Sequence, residues 1–313
     1  MSHEVQTMAY MNATPWHGLG NHLTQKQPLE VWTKEAGFEW QVKRARVMFH
    51  PKAGLINPYD GQEVLYRSDN LNALAVVSER YKIVQPYEVL EFYRDLVDAG
   101  GFELETAGVL KGGKKVWALA RTGVESAVTG DDRLKAYLLL ATGYDGTSAT
   151  TAQYTSIRVV CQNTLNMAVG DEKGQVRVPH NRNFDPKAVK QALGLGLSGW
   201  DTFIADIRRM ASRRLETAQA RQFLINLVGK PTEPPHQQPR AVEKILALFN
   251  GNAKGSELES ANDTVWGLVN AVTEHFDHHT QSHSADSRLH SAWFGRGNLI
   301  KGKAFEEGLR LVA

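Results

Sequence analysis

Cysteine is nearly missing from this chain: Cys161 is the only one in 313 residues. It has no partner for an internal disulfide, so a reducing cytoplasm is the expected compartment. No stretch approaches the roughly 20 consecutive apolar residues of a membrane helix. The N-terminal MSHEVQTMAY has neither the basic nor the apolar region of a secretory signal. No membrane partner is expected. Internal repeats and heptads are lacking. So are a Gly-x-Ser-x-Gly elbow, a phosphate loop and a His-Glu-x-x-His pair, which removes the commonest signals for hydrolase, nucleotide and zinc chemistry. An excess of one charge is missing too: 36 Lys and Arg face 34 Asp and Glu, a net charge of +2 with a pI near 8.5. Domains dominated by nucleic-acid binding lie above about 9, so any basic surface has to come from local clustering.

What is present is an ordinary globular composition, 42% hydrophobic and 22% charged, enough for a sizeable core. The most informative stretch is Lys135 to Val169. Lys135 to Ala141 is an apolar run of strand length, and Asp145-Gly146 is a hairpin signal because such turns need positive φ. Ser148 to Thr155, rich in Thr and small residues, suits a returning strand. Ser156 then stands where an N-cap belongs, and Arg158 to Ala168 reads as a helix burying Val159, Val160 and Leu165.

Around this unit the chain falls into order. Leu29 to Ala36 is a short helix. Phe38 to His50, Glu63 to Tyr66 and Leu74 to Val77 form a small meander with a turn at Asp60-Gly61, and Lys43, Arg44 and Arg46 give it a positive edge. Tyr87 to Ala99 is an amphipathic helix behind Pro86. Phe102 to Leu110 and Val116 to Arg121 make a second hairpin, whose tip carries Lys111, Lys114 and Lys115 around Gly112-Gly113. After Gly170 helices take over. Asp185 caps a segment starting at Pro186 and running to Leu215. Further helices follow at 218–228, 240–249 and 264–279, with a short one at the C-terminus. The Pro-rich 231–239 is a linker. The expected fold is α+β: an antiparallel β-hairpin sheet with helices packed on one face, over residues 1–183, followed by a mainly helical half, 184–313, packed on that core.

Several chemical suggestions favour structural readings. His17 stands beside Trp16 in PWHGLG with no partner residue in view. His275, His278, His279, His283 and His290 cluster, yet no cysteine joins them, so no metal is assigned. Cys161 lies in an apolar segment, where thiols are inert. Gly194-Leu-Gly196-Leu-Ser-Gly199 spells Gly-x-Gly-x-x-Gly without a preceding strand and is not a dinucleotide site. Asn163 and Gln162 read as amides that satisfy buried backbone groups. No cofactor and no catalytic residue is expected.

Four ordered motifs carry a family resemblance. IRVVCQNTLNMA at 157–168 resembles the central signature of the phage/plasmid-like protein family of prokaryotic mobile elements. PWHGLG at Pro15–Gly20, Tyr81-Lys-Ile-Val-Gln-Pro86 and Trp293-Phe-Gly295 resemble its other blocks. That family brings no assigned chemistry. The order helix, hairpin, hairpin, helix is similar to the core of single-strand annealing recombination proteins, which implies a homo-oligomer that holds single-stranded DNA on a basic hairpin and helix. Cations along the backbone path and flat rings for stacking are what such binding needs. The candidates, chosen by hairpin position and charge, are Lys111, Lys114, Lys115, Arg121, Lys135 and Arg158, with Tyr144 and Tyr154 as stacking rings. The competing expectation is a non-enzymatic regulatory or assembly protein of a mobile element that binds another protein.

Overall fold

A computed structural model describes residues 5–11, 20–98, 101–161, 163–166, 175–194, 199–281 and 285–313. The chain begins with β1 (Val5–Met11), β2 (Asn21–Leu23) and α1 (Leu29–Glu35). Then come β3 (Val42–Lys52), β4 (Leu55–Arg67), β5 (Ala73–Ser78), α2 (Pro86–Glu91) and α3 (Arg94–Asp98). The central strands are β6 (Glu103–Leu110), β7 (Lys115–Ala127), β8 (Arg133–Gly143), β9 (Thr150–Arg158), β10 (Thr164–Asn166) and β11 (Gln175–Val178). The remainder is helical: α4 (Pro186–Gly194), α5 (Trp200–Ser212), α6 (Thr217–Val228), α7 (Arg240–Ala247), α8 (Val265–Glu274), α9 (Ala285–Phe294) and α10 (Arg296–Leu311).

Two sheets form. One has the order β10-β9-β8-β7-β6-β1-β2, with β11 also paired to β9, and the other is the meander β3-β4-β5. The β1–β2 pair is parallel, so the larger sheet is not wholly antiparallel. The mixed α+β class expected from the sequence is found. Its helices, however, are spread along the chain, with α1 to α3 preceding β6, and are not gathered only in the C-terminal half.

The chain divides into two compact units. One comprises Met1–Gly123, Leu138–Gln153 and Gln175–Gly194; the other comprises Val124–Tyr137, Tyr154–Gly174 and Leu195–Ala313. In the first, Trp32, Phe38, Trp40, Val89, Leu90, Phe92 and Tyr93 are buried with the apolar residues of β6 and β7. The Tyr93 hydroxyl lies 2.9 and 3.0 Å from the carbonyl oxygens of Ala118 and Leu138, so even this buried polar group is satisfied. In the second unit α8 is buried along its whole length, Asn270, Thr273 and Glu274 included. Its N-cap is Thr264, whose side chain accepts the Gly267 N–H at 3.0 Å. Phe203 of α5 stacks on Phe305 of α10 with centroids 5.3 Å apart.

The expected helix from Arg158 to Ala168 is not formed in its described part. Residues 150–158 are strand, Val159 to Cys161 turn, and Thr164–Asn166 return as β10 against Thr155, Ser156 and Ile157 of β9. Ser156 is therefore a strand residue, not a cap. Leu165 is buried, but Val159 and Val160 are exposed. The helix expected over Tyr87–Ala99 is interrupted between α2 and α3. Residues 15–19 of PWHGLG, which include His17, lie outside the described residues, as do Gln162 and His283.

Candidate nucleic-acid interface

The structure separates the residues proposed from sequence by their exposure. Lys114 at the β6–β7 tip is exposed, while Lys111, Arg121 and Lys135 are half-buried. Arg121 pairs with Glu103 across the β6–β7 ladder. The other four, expected at the surface, are buried. Lys115 is only 5% exposed, and its Nζ donates to Ser148 Oγ at 3.3 Å. Tyr144 is fully buried, its hydroxyl donating to the Val84 carbonyl at 2.8 Å and its ring edge-on to Trp40. Tyr154 is buried as well. Neither ring offers a face to a base. Both belong to the apolar core of the sheet, where burial raises their phenol pKa values, Tyr154 to about 12.

Arg158, in the family-like signature, is 2% exposed. Its Nε and Nη2 donate to Asp132 Oδ1 and Oδ2 at 2.6 and 3.0 Å, and Nη2 also reaches the Gly255 carbonyl at 3.2 Å. Asp132 Oδ2 further accepts from Ser260 Oγ at 2.6 Å and Trp266 Nε1 at 3.1 Å. Burial opposes the guanidinium charge, but the Asp132 carboxylate holds the pKa above its ordinary value. This is a closed internal network that joins the residue before β8 to β9 and α8. It is not a nucleic-acid contact. Asn163 also serves structure: its Nδ2 donates to the Asn270 carbonyl at 3.2 Å. Cys161 is buried, and burial pushes its thiol up to about 11, which makes it a poor nucleophile. Among the described residues no group of three or more His, Cys, Asp or Glu could hold a metal ion.

The surface with the required chemistry is the β3–β4 ribbon. The sequence reading put its turn at Asp60-Gly61, but the chain reverses at Ala53-Gly54, where Gly54 has φ of +80°. Gly61, also at +80°, lies inside β4. The strands are thus 11 and 13 residues long, beyond the usual 5–6 or so. Register shifts between Arg46 and Met48 and between Phe49 and Lys52 mark bulges, which add twist and discourage edge-to-edge pairing.

The base of the ribbon is anchored in its own unit. The Gln85 side chain accepts the Val42 N–H at 2.9 Å and donates to the Val42 carbonyl at 3.1 Å. Arg44 is held by Glu63 and the Tyr81 carbonyl. Arg67, 4.2 Å from the Trp40 ring centroid, chelates Asp69. Past Arg44 the ribbon changes character. Nearly every residue from Ala45 to Lys52 and from Leu55 to Gly61 is exposed. Successive side chains of a strand point to opposite faces, so both faces of the distal ribbon are wet.

That distal part carries flat and apolar side chains together with cations. Phe49 is 43% exposed and Tyr59 55%, and their rings meet edge to face at 6.3 Å. Met48, Leu55 and Ile56 are exposed beside them. Lys43, Arg46 and Lys52 are exposed, and among the described residues no ion pair holds them. Over Val42–Arg67 the cations Lys43, Arg44, Arg46, Lys52 and Arg67 face only Asp60 and Glu63 as acids. The sequence showed the charge at Lys43, Arg44 and Arg46. It did not show that Phe49 would be left uncovered, because an aromatic beside Val47 and Met48 reads as core. Proline at positions 51 and 58, which limits pairing with further strands, was the available hint.

These features define an α+β protein with a solvent-exposed cationic and aromatic β-ribbon. The chain belongs to the DUF932 family, described as a domain of unknown function, whose model matches residues 73–293. No curated protein and no solved structure matches it. The β3–β4 ribbon precedes the matched residues, whereas the Arg158–Asp132 network lies within them. Among the described residues no helix is long and apolar enough to cross a membrane.

Proposed function

We propose that this protein binds single-stranded DNA along the β3–β4 ribbon, as a homo-oligomeric strand-annealing protein of a phage or plasmid. The observation that carries the reading is the combination of exposed Phe49 and Tyr59 with Lys43, Arg46 and Lys52 on a ribbon wet on both faces. Single strands offer phosphates at regular spacing and unstacked bases, and cations interleaved with rings answer both. The tip lysine Lys114 supplies a second, weaker contact. The motifs similar to the phage/plasmid-like family, and the likeness of the hairpin order to strand-annealing proteins, support recombination as the setting.

The test is anisotropy of a labelled oligothymidylate over a salt series. Replacing Lys43, Arg46 and Lys52 together by Ala removes three phosphate contacts. At about 0.7 per contact for single strands, the slope of log K against log salt becomes shallower by about 2, and affinity at low salt falls. Unchanged affinity and slope in the triple variant would remove the ribbon from the reading. No binding by the unaltered protein at low salt would leave the protein-binding alternative.

A further inference from the structure

The tip of the β8–β9 hairpin holds a serine set over a buried lysine. Ser148, half-exposed, follows the Asp145-Gly146 turn, in which Gly146 has φ of +75°. Asp145 Oδ1 accepts the N–H groups of Thr147 at 2.9 Å and Ser148 at 3.1 Å, which fixes the loop that presents Ser148. Lys115 comes from the start of β7. The adjoining β6–β7 tip is tied to this one by the Tyr144 N–H, which donates to the Lys114 carbonyl at 2.8 Å. Lys115 is buried while Ser148 reaches solvent, so the amine lies beneath the hydroxyl at 3.3 Å.

The surroundings are built, not incidental. His180 stacks on Tyr81 with centroids 4.3 Å apart, its Nδ1 is 2.7 Å from the Lys82 carbonyl, and its Nε2 is buried without a hydrogen-bond partner. Burial lowers the His180 pKa, and the backbone of Lys82 and of Ser148, which the ring faces, works against that shift. The Tyr81 hydroxyl donates to the Gly143 carbonyl at 2.6 Å, which holds the start of the turn. Every one of these groups belongs to the same compact unit and lies within the family-matched residues.

We propose that Ser148 is a nucleophile activated by Lys115, in a serine–lysine pair that accepts acyl groups from carboxylic esters. Burial pushes the Lys115 pKa down to about 8, with Asp145 working against the shift and Lys111 adding to it. A sizeable share of the amine is therefore neutral in mildly alkaline solution and able to act as a base. Neutral Nζ takes the Ser148 Oγ proton as Oγ forms a bond to the acyl carbon. The ester C–O bond then breaks, and the leaving alcohol takes that proton from Nζ. Water attacks the acyl-serine, gives a proton to Nζ, and the acid leaves as Ser148 Oγ recovers it. The sum is one ester and one water converted to one acid and one alcohol. The pair uses neither the ribbon nor its cations, so it stands apart from DNA binding.

The experiment is labelling of the full chain with a fluorophosphonate, with the modified residue located by mass spectrometry, across pH 6 to 10. The expected result is a single adduct on Ser148 whose rate of formation rises about tenfold with a titration near pH 8. Ser148→Ala abolishes the adduct, and Lys115→Met slows it at least tenfold. Lys115→Arg, which keeps the charge but cannot accept a proton, slows it equally. Circular dichroism of each variant checks that it is folded. For the unaltered chain the pH profile suffices by itself should Lys115 variants fail to fold. No adduct on Ser148, or one that forms without dependence on pH between 7 and 9, overturns the proposal.

Discussion

Asp132 is the residue whose removal should cost this protein most. It is completely buried and accepts from both nitrogens of the Arg158 fork, from Ser260 and from Trp266. Asp132→Ala leaves a guanidinium that is 2% exposed with no counter-charge, along with two further donors lacking an acceptor. Breaking a buried pair on one side costs about 3–5 kcal/mol, and each stranded donor adds about 1–3 kcal/mol before relaxation. The lower ends alone come to about 5 kcal/mol in total. With a urea m-value of about 3 kcal/mol/M or less for a unit of this size, the midpoint should fall by more than about 1 M. Urea titration followed by tryptophan fluorescence reads this directly. Arg158→Met costs less, because Asp132 keeps the Ser260 and Trp266 donors. The Arg158→Met/Asp132→Leu double variant should recover much of the loss. A shift below about 0.3 M for Asp132→Ala would mean that the pair is hydrated and the network reasoning wrong.

Three further outcomes follow from local geometry. Gly267→Ala inside α8, a change worth up to about 1 kcal/mol of stabilisation in an open helix, should instead destabilise by about 2 kcal/mol or more. The added methyl would stand 1.8 Å from the Ala261 carbonyl oxygen, and thermal melting checks the sign. His275 has its pKa lowered to about 4 by burial first, then by His279 and Lys244. Its unfolded state takes up a proton below about 6.5 while the folded state resists until about 4, so stability is lost as pH falls through that window, by up to about 3 kcal/mol. Melts at pH 7 and pH 4.5 should converge in His275→Phe relative to the unaltered protein. Lys301 donates to Asp277 at 2.6 Å and to the Thr164 carbonyl at 2.8 Å, joining α10 to β10 from a fully buried position. Lys301→Met should lower the urea midpoint while leaving oligonucleotide affinity unchanged.

Local sequence was a good guide where the deciding interactions are local. The β8–β9 hairpin was legible from the apolar run at Lys135–Ala141 and from Asp145-Gly146. The start of α4 was legible because Asp185 accepts the N–H of Lys187 and Ala188, two and three residues on. The failure at residues 158–166 has a plain cause. The helix reading buried Val159, Val160 and Leu165, whereas Arg158, Cys161, Asn163 and Leu165 are the buried residues and both valines are exposed. Arg158 is buried only because Asp132, Ser260 and Trp266 converge on it from distant parts of the chain, and no local pattern announces such partners. The same holds for Tyr144, Tyr154 and Lys115, which look like hairpin surface but are covered by tertiary packing. The ribbon erred in the opposite sense. Asp60-Gly61 carries the dipeptide of a turn, yet the ladder continues through it to Ala53-Gly54 and leaves Phe49 and Tyr59 uncovered.

The most direct measurement is photocrosslinking of the full protein to a single-stranded oligonucleotide carrying a photoactivatable base, with the linked peptides sequenced. Crosslinks on Phe49 or Tyr59 within Val42–Arg67 are the expected result. Crosslinks confined to the Lys111–Lys115 tip, or to no part of the ribbon, would contradict the assignment of the β3–β4 ribbon as the DNA-binding surface.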